Sequence, residues 1–291
     1  MPGRQVKKGS LDMTLSAQRT DELNALCKKF RIDVLSLLYK IQTGHPGGSL
    51  SVCEILTALY FEKTNTNGAT PKDTNRDRIL LSKGHAAPML YRILAEKGYF
   101  PIGDLQGLRQ LGSHLQGHPS NRETKGIEAP SGPLGLGLGV GVGMALSLRL
   151  DLNPARVYVI LGDGELNEGT IWESAMCAYK YNLDNLTVIV DRNHVQLDGT
   201  TEDIMPLIDV AKKFSAFGFN VLECDGHDIS AICHSIDTAK ATKAVPTVIV
   251  ANTVKGKGVS FMEGKNSWHG SPISEELLAA AMKELGGAAN A

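Results

Sequence analysis

A single-domain α/β fold, a parallel sheet with helices on both faces, is the class this sequence predicts. Three observations carry it. Short segments of continuous Val, Ile and Leu character recur, at 157–161, 186–190 and 246–251. Strands buried on both faces read this way, whereas a half-solvated strand alternates. Between them lie stretches with apolar residues at three- and four-residue steps, the mark of amphipathic helices. No repeat of fixed period and no linker-like run divides the chain, so residues 16–291 read as one domain behind an N-terminal arm, 1–15.

Taken in order, residues 16–42 place Leu23, Leu26, Phe30, Val34, Leu37, Leu38 and Ile41 on one helical face, and Gly44-His45-Pro46-Gly47-Gly48 stops it. A second helix is expected over 51–61. Residues 78–82 predict a short buried strand ending in a Lys83-Gly84-His85 turn. The segment 103–133 is rich in Gly, Pro, Ser and His without periodicity, and a stretch that long inside a compact domain is usually functional. Glycine alternates from Gly135 to Gly143, but the continuation through Met144 to Leu150 makes 134–150 a helix with a closely packing start. Strands follow at 157–161, 186–190, 220–224 and 246–251. Helices follow at 168–181, 208–217, 229–240 and 274–285.

Composition narrows the function classes. With 30 Lys+Arg against 31 Asp+Glu, the formal net charge is −1, so no electrostatic surplus draws nucleic acid or an anionic membrane. Apolar runs are broken well short of a membrane span, and no signal-type segment follows Met1. The five cysteines, Cys27, Cys53, Cys177, Cys224 and Cys233, form no CxxC pair and sit in apolar segments. They read as buried thiols of a cytoplasmic protein.

The chemistry concentrates at Gly162-Asp163-Gly164, after one strand and before a helix. Ligands of open parallel sheets bind at the carboxyl ends of strands. There the turn offers backbone N–H groups and a carboxylate beside a helix start, which suits a phosphate with a divalent cation. Alone, the tripeptide is equally an ordinary tight turn. The next strand, however, ends in Asp191-Arg192-Asn193, which brings Asn193 beside Asp163. A carboxylate, an amide and a nearby carbonyl such as that of Val195 form a hard-oxygen set for Mg²⁺ or Ca²⁺.

The span from Gly162-Asp163-Gly164 to Asn193 resembles the thiamine-diphosphate signature. Gly162-Asp163-Gly164-Glu165-Leu166-Asn167-Glu168-Gly169 is similar to its transketolase branch. The likeness runs from Gly44-His45-Pro46-Gly47 to Trp268-His269-Gly270. It implies the thiamine-diphosphate-binding fold, with Asp163, Asn193 and the Val195 carbonyl on the metal and Gly164 on the diphosphate. His85 would contact the diphosphate, and Gly132 and Leu134 would lie along the aminopyrimidine. His45, His118 and His269 would line the substrate channel as catalytic groups, with His269 also near the cofactor. Glu168 and Glu173 match acidic residues at a subunit interface, Glu168 with a catalytic and cofactor role. His114, His194, His227 and His234 read as structural, and Glu165 is expected to face solvent. Lys255-Gly256-Lys257-Gly258 reads equally as a phosphate contact and as an exposed basic turn.

The sequence departs from the family pattern at Leu136, where glutamine is common, and at Arg192, where acidic residues or Asn are frequent. The family's pyrimidine-activating glutamate lies on a second domain that would begin about where this chain closes, and its sugar-phosphate arginines are absent as well. The resemblance therefore implies a split enzyme, active only with a C-terminal partner subunit in an α2β2 assembly, transferring a two-carbon ketol unit between sugar phosphates. Pentose, branched or sulfonated sugars all remain open as substrates. The alternatives are an alpha chain of a 2-oxo-acid dehydrogenase and a non-catalytic regulatory subunit. Gly44-His45-Pro46-Gly47 and Trp268-His269-Gly270 favour transketolase.

Overall fold

The computed structural model describes residues 15–287, so most of the expected N-terminal arm lies outside the described residues. Helices are α1 (Ala17–Ile41), α2 (Pro46–Ser51), α3 (Cys53–Ala58), α4 (Ala87–Glu96), α5 (Leu136–Leu150), α6 (Gly169–Lys180), α7 (Thr201–Ile204), α8 (Val210–Ala216), α9 (Ile229–Ala241) and α10 (Glu275–Glu284). Strands are β1 (Arg78–Leu81), β2 (Val157–Gly162), β3 (Leu186–Arg192), β4 (Asn220–Asp225) and β5 (Thr247–Asn252), all parallel in the order β1-β2-β3-β5-β4.

Side-chain alternation explains why both faces are covered. Tyr158, Ile160, Ile189, Ile249 and Ala251 point into one core, under α1, α3, α4, α9 and α10. Val157, Val159, Leu161, Val188, Val190, Val248 and Val250 point into the other, under α5, α6 and α8. Successive residues of a strand face opposite sides, so a two-faced sheet demands an unbroken apolar run. The fold class read from the sequence is the one observed.

Most predicted elements stand within a residue or two. Helix α1 is capped by Ser16, whose Oγ accepts the Arg19 N–H at 3.2 Å. Three differences have physical causes. The turn at Gly44–Gly48 ends α1 but also begins α2, because Pro46 suits the first helical position. A Cβ at Gly48 would stand 3.1 Å from the His85 ring, so the small residue there serves a close approach. Helix α4 is not expected from the sequence: Arg92 interrupts its apolar run, and the ion pairs of Arg92 with Asp33 and Glu96 let the helix be buried from Ala87 to Ala95. The single turn α7 has too little length to carry any period. The five cysteines are free, and Cys27, Cys53 and Cys233 are buried. Among the described residues no helix is long and apolar enough to cross a membrane.

Candidate active site

The carboxyl ends of β1, β2, β3 and β5 open onto one cleft of about 360 Å³, within the range of about 300–1,000 Å³ usual for small-molecule sites. Its lining includes His45, His85, His118, His269, Gly132, Leu134, Asp163, Gly164, Asn193 and Val195. One fold thus gathers residues spread over more than two hundred positions. Glu168 and Glu173 lie outside it, exposed at the cap and on the first turns of α6. Of the four histidines read as structural, none lines the cleft.

Strand pairing sets Gly162 opposite Asp191, which brings Asp163 level with the end of β3. The Asp163 carboxylate accepts N–H groups from Gly164 at 2.8 Å and His194 at 2.5 Å, and Arg192 Nη1 stands 3.3 Å from it. Because His194 lies between Asn193 and Val195, the His194 bond ties all three expected metal residues into one corner. His194 adopts φ 64°, the left-handed turn that folds the strand end back over Asp163. Asn193 Oδ1 accepts the Val195 N–H at 3.2 Å, and Asn193 Nδ2 reaches Ser51 Oγ at 3.4 Å. Burial and the neighbouring Asp191 raise the Asp163 carboxyl, with Arg192 and the two N–H donors opposing them.

The opposite wall is a cluster of imidazoles. Ring centroids of His45 lie 5.5 Å from His85, 6.3 Å from His118 and 5.3 Å from His269, and His85 and His269 are 5.0 Å apart. Burial first, then nearby cations, lowers all four. His45 falls to about 4 under burial, Arg109, His118 and Lys255, and His269 to about 3 under burial, Lys255, His45 and Lys83. His85 is pushed well below its ordinary value, and His118 is lowered by burial and Arg109. Four neutral imidazoles result near pH 7, each able to donate one hydrogen bond and accept another. Among the described residues His45 Nδ1 is buried without a partner, an orphan polar atom within the cleft wall.

Several site residues escape a reading of the sequence. Lys83 and Asp191, both almost wholly buried, form an ion pair, and Asp191 also accepts Ser51 Oγ at 2.6 Å and the Thr253 hydroxyl. A charged residue ending an apolar strand was the available signal, since buried charge persists only when paired. Lys255 is buried, not an exposed basic turn: its Nζ donates to the carbonyls of Val195 and Gln196, each at 3.2 Å, and meets His269 Nδ1 at 3.0 Å. Burial and Lys83 lower it to about 8. Among the described residues no carboxylate pairs with Lys255, so it remains an uncompensated cation facing the cleft.

Glu165 is the clear correction. Expected to face solvent, it is 2% exposed, with its carboxylate accepting the Gly135 N–H at 2.8 Å, the Gly162 N–H at 3.0 Å and the Ser82 hydroxyl. The turn after Asp163 is a 3₁₀ helix, Gly164–Asn167, which swings this side chain inward to bind loop 135 to the ends of β1 and β2. Burial raises its carboxyl.

Residues 23–291 match the family described as "Transketolase, thiamine diphosphate binding domain". The chain belongs to that family. Transketolase relatives come in two lengths. A 6-deoxy-6-sulfo-D-fructose transketolase subunit of Clostridium sp. (strain MSTE9) is 46% identical over 246 residues, covering 84% of this chain and 90% of the relative. An apulose-4-phosphate transketolase subunit of Phocaeicola vulgatus is 42% identical over 267 residues, covering 92% and 95%. Human transketolase is 36% identical over 92% of this chain, which spans 42% of the human protein. A solved transketolase from Pichia stipitis superposes with a TM-score of 0.87 at 33% identity, covering 93% of this chain and 41% of its own. The chain therefore spans about two fifths of the length of full-length transketolases, and nearly all of the subunit-sized relatives.

Proposed function

We propose that this chain is the cofactor- and metal-binding subunit of a split transketolase, transferring a two-carbon ketol unit from a ketose phosphate to an aldose phosphate. The observation that carries it is the single cleft, which sets the hard-oxygen corner of Asp163, Asn193 and Val195 opposite four neutral imidazoles. Relatives named as subunits, matched over 90% or more of their length, support the division into two chains.

The donor set fits the group the family implies. Asp163, Asn193 Oδ1 and the Val195 carbonyl would hold Mg²⁺ or Ca²⁺, both of which take oxygen ligands. Lys255, whose Nζ meets the Val195 carbonyl at the edge of this corner, would be placed to reach phosphate oxygens. Gly164 and His85 would receive the diphosphate, and Gly132 and Leu134 the aminopyrimidine. Gly132 has φ 143°, a backbone position that favours glycine, and a Cβ there would stand 3.5 Å from His118. When bound, thiamine diphosphate supplies the nucleophilic carbon for ketol transfer; the protein's part is orientation and proton handling. His45 and His118 would exchange protons with substrate hydroxyl and carbonyl oxygens, and neutrality lets each act in either direction. His269, fixed by Lys255 on Nδ1, keeps Nε2 as its protonated nitrogen.

Glu168 and Glu173, both exposed, would meet the partner, and that partner would bring the pyrimidine-activating glutamate, as two copies of each chain in one cytoplasmic assembly. A second reading concerns substrate: the relatives at 46% and 42% identity carry names of unusual sugars, which favours a sulfonated or branched sugar over an ordinary pentose phosphate. The test is reconstitution. The chain alone is expected to give no ketol transfer from any ketose phosphate, and addition of a pyrimidine-binding subunit to restore it. Full turnover by the isolated chain would contradict the split.

A further inference from the structure

Outside the cleft, one buried polar network has no role in the function proposed above. Arg31 of α1 forks onto Glu54 of α3, with Nη1 to Oε1 at 2.6 Å and Nη2 to Oε2 at 2.8 Å. Glu54 Oε2 stands 3.0 Å from His227 Nδ1, in the turn after β4, and His227 Nε2 takes the Val254 N–H at 2.8 Å. Burial alone would raise the Glu54 carboxyl, but Arg31 and the His227 bond outweigh it and bring it down to about 2. An ionised Glu54 requires a donor at Nδ1, and the Val254 N–H requires a lone pair at Nε2, so the ring is held as one neutral tautomer. Val254 immediately precedes Lys255, whose three ammonium protons are directed to the Val195 carbonyl, the Gln196 carbonyl and His269 Nδ1.

We propose that His227 is a positioning residue for the cleft: by holding the Val254 N–H from the far side of β5, it fixes where Lys255 enters the site. Sequence alone marks this histidine as structural. Its ring links the Arg31–Glu54 pair by hydrogen bonds to the backbone from which Lys255 reaches two walls of the cleft at once. The consequence for cofactor rests on the proposed function; the consequence for the Lys255–His269 contact does not.

The experiment is a double-mutant cycle on the full chain with Mg²⁺, reading thiamine-diphosphate affinity by calorimetry beside thermal stability. Outer-shell partners of a site typically command about 10–100-fold in affinity, and His227→Leu is expected at the lower end, about 10-fold weaker. His227→Gln, whose amide oxygen can still accept the Val254 N–H, should recover most of that loss. In a Lys255→Met background, His227→Leu should change affinity no further. Full additivity, or an unchanged affinity in a folded but less stable His227→Leu, would overturn the proposal. If the leucine variant does not fold, His227→Asn, too short to reach Val254, carries the same comparison. The ¹⁵N shifts of the His269 ring, read without cofactor, separate the two hypotheses. Loss of the Lys255 hydrogen bond at Nδ1 in the variant supports the positioning role even if the wild type fails to bind thiamine diphosphate. An unaltered ring spectrum overturns it.

Discussion

Residues before and after the start of α5 build their shares of the cleft in different ways. The later part, with four of the five strands, delivers Asp163, Asn193 and Val195 from the ends of neighbouring strands, where pairing register fixes their positions to within a hydrogen bond. The earlier part has one strand, and offers His45, His85 and His118 from Gly- and Pro-containing turns braced by buried helices. On the proposed function, rigid strand ends suit ligands that would have to stay put under a doubly charged ion. On the same reading, turns suit His45 and His118, which would handle protons, where orientation counts for more than a fixed coordination distance.

Substitutions can break or sharpen that contrast. The largest effect should come from the strand-end corner: Asp163→Ala is expected to weaken metal-dependent binding of thiamine diphosphate beyond the about 10–100-fold typical of outer-shell groups, as measured by calorimetry. Next is Glu165→Ala, which strands two buried N–H donors and a hydroxyl. Urea unfolding should show a loss of about 3 kcal/mol, whereas a solvent-facing glutamate would leave stability within about 0.5 kcal/mol. For the turn-borne group, His118→Ala in the reconstituted enzyme should lower kcat by about 100-fold with cofactor affinity unchanged. An equal fall in affinity would mean that turns and strand ends do not divide the labour.

Protonation gives an effect confined to acid pH. Because His45 sits near 4 when folded, against an ordinary value of 6.5, the unfolded chain binds more protons between those limits. Its contribution to stability is therefore complete above about pH 6.5 and lost as pH falls through about 4. His85, His118 and His269 act in the same direction, and the raised carboxyls of Asp163 and Glu165 oppose them. Ring NMR of His45 should show a midpoint near 4, and a midpoint near 6.5 would mean the cluster is open to water.

The same contrast accounts for what can be read from residues alone. Strands such as 157–161 and 186–190 announce themselves because burial on both faces leaves no polar position. The corner at Asp163 and Asn193 then follows from strand adjacency. Helix α4 is missed for another reason: Arg92 interrupts its apolar run, and only the tertiary structure supplies the Asp33 carboxylate that lets this charge be buried. No periodicity marks His45, His85 or His118, and only resemblance to a family places them together. Glu165, Lys83 and Lys255 are misjudged or missed because a charged residue in a turn is ordinarily solvated. Only the tertiary structure supplies the Ser82 hydroxyl, the Asp191 carboxylate and the Val195 carbonyl that let them be buried.

Diffraction from a crystal grown with thiamine diphosphate and Mn²⁺, collected at the manganese absorption edge, tests the central claim most directly. One anomalous peak is expected at about 2.0–2.3 Å from a carboxylate oxygen of Asp163, Asn193 Oδ1 and the Val195 carbonyl. Cofactor density elsewhere, or a metal held without Asp163 and Asn193, would contradict the account.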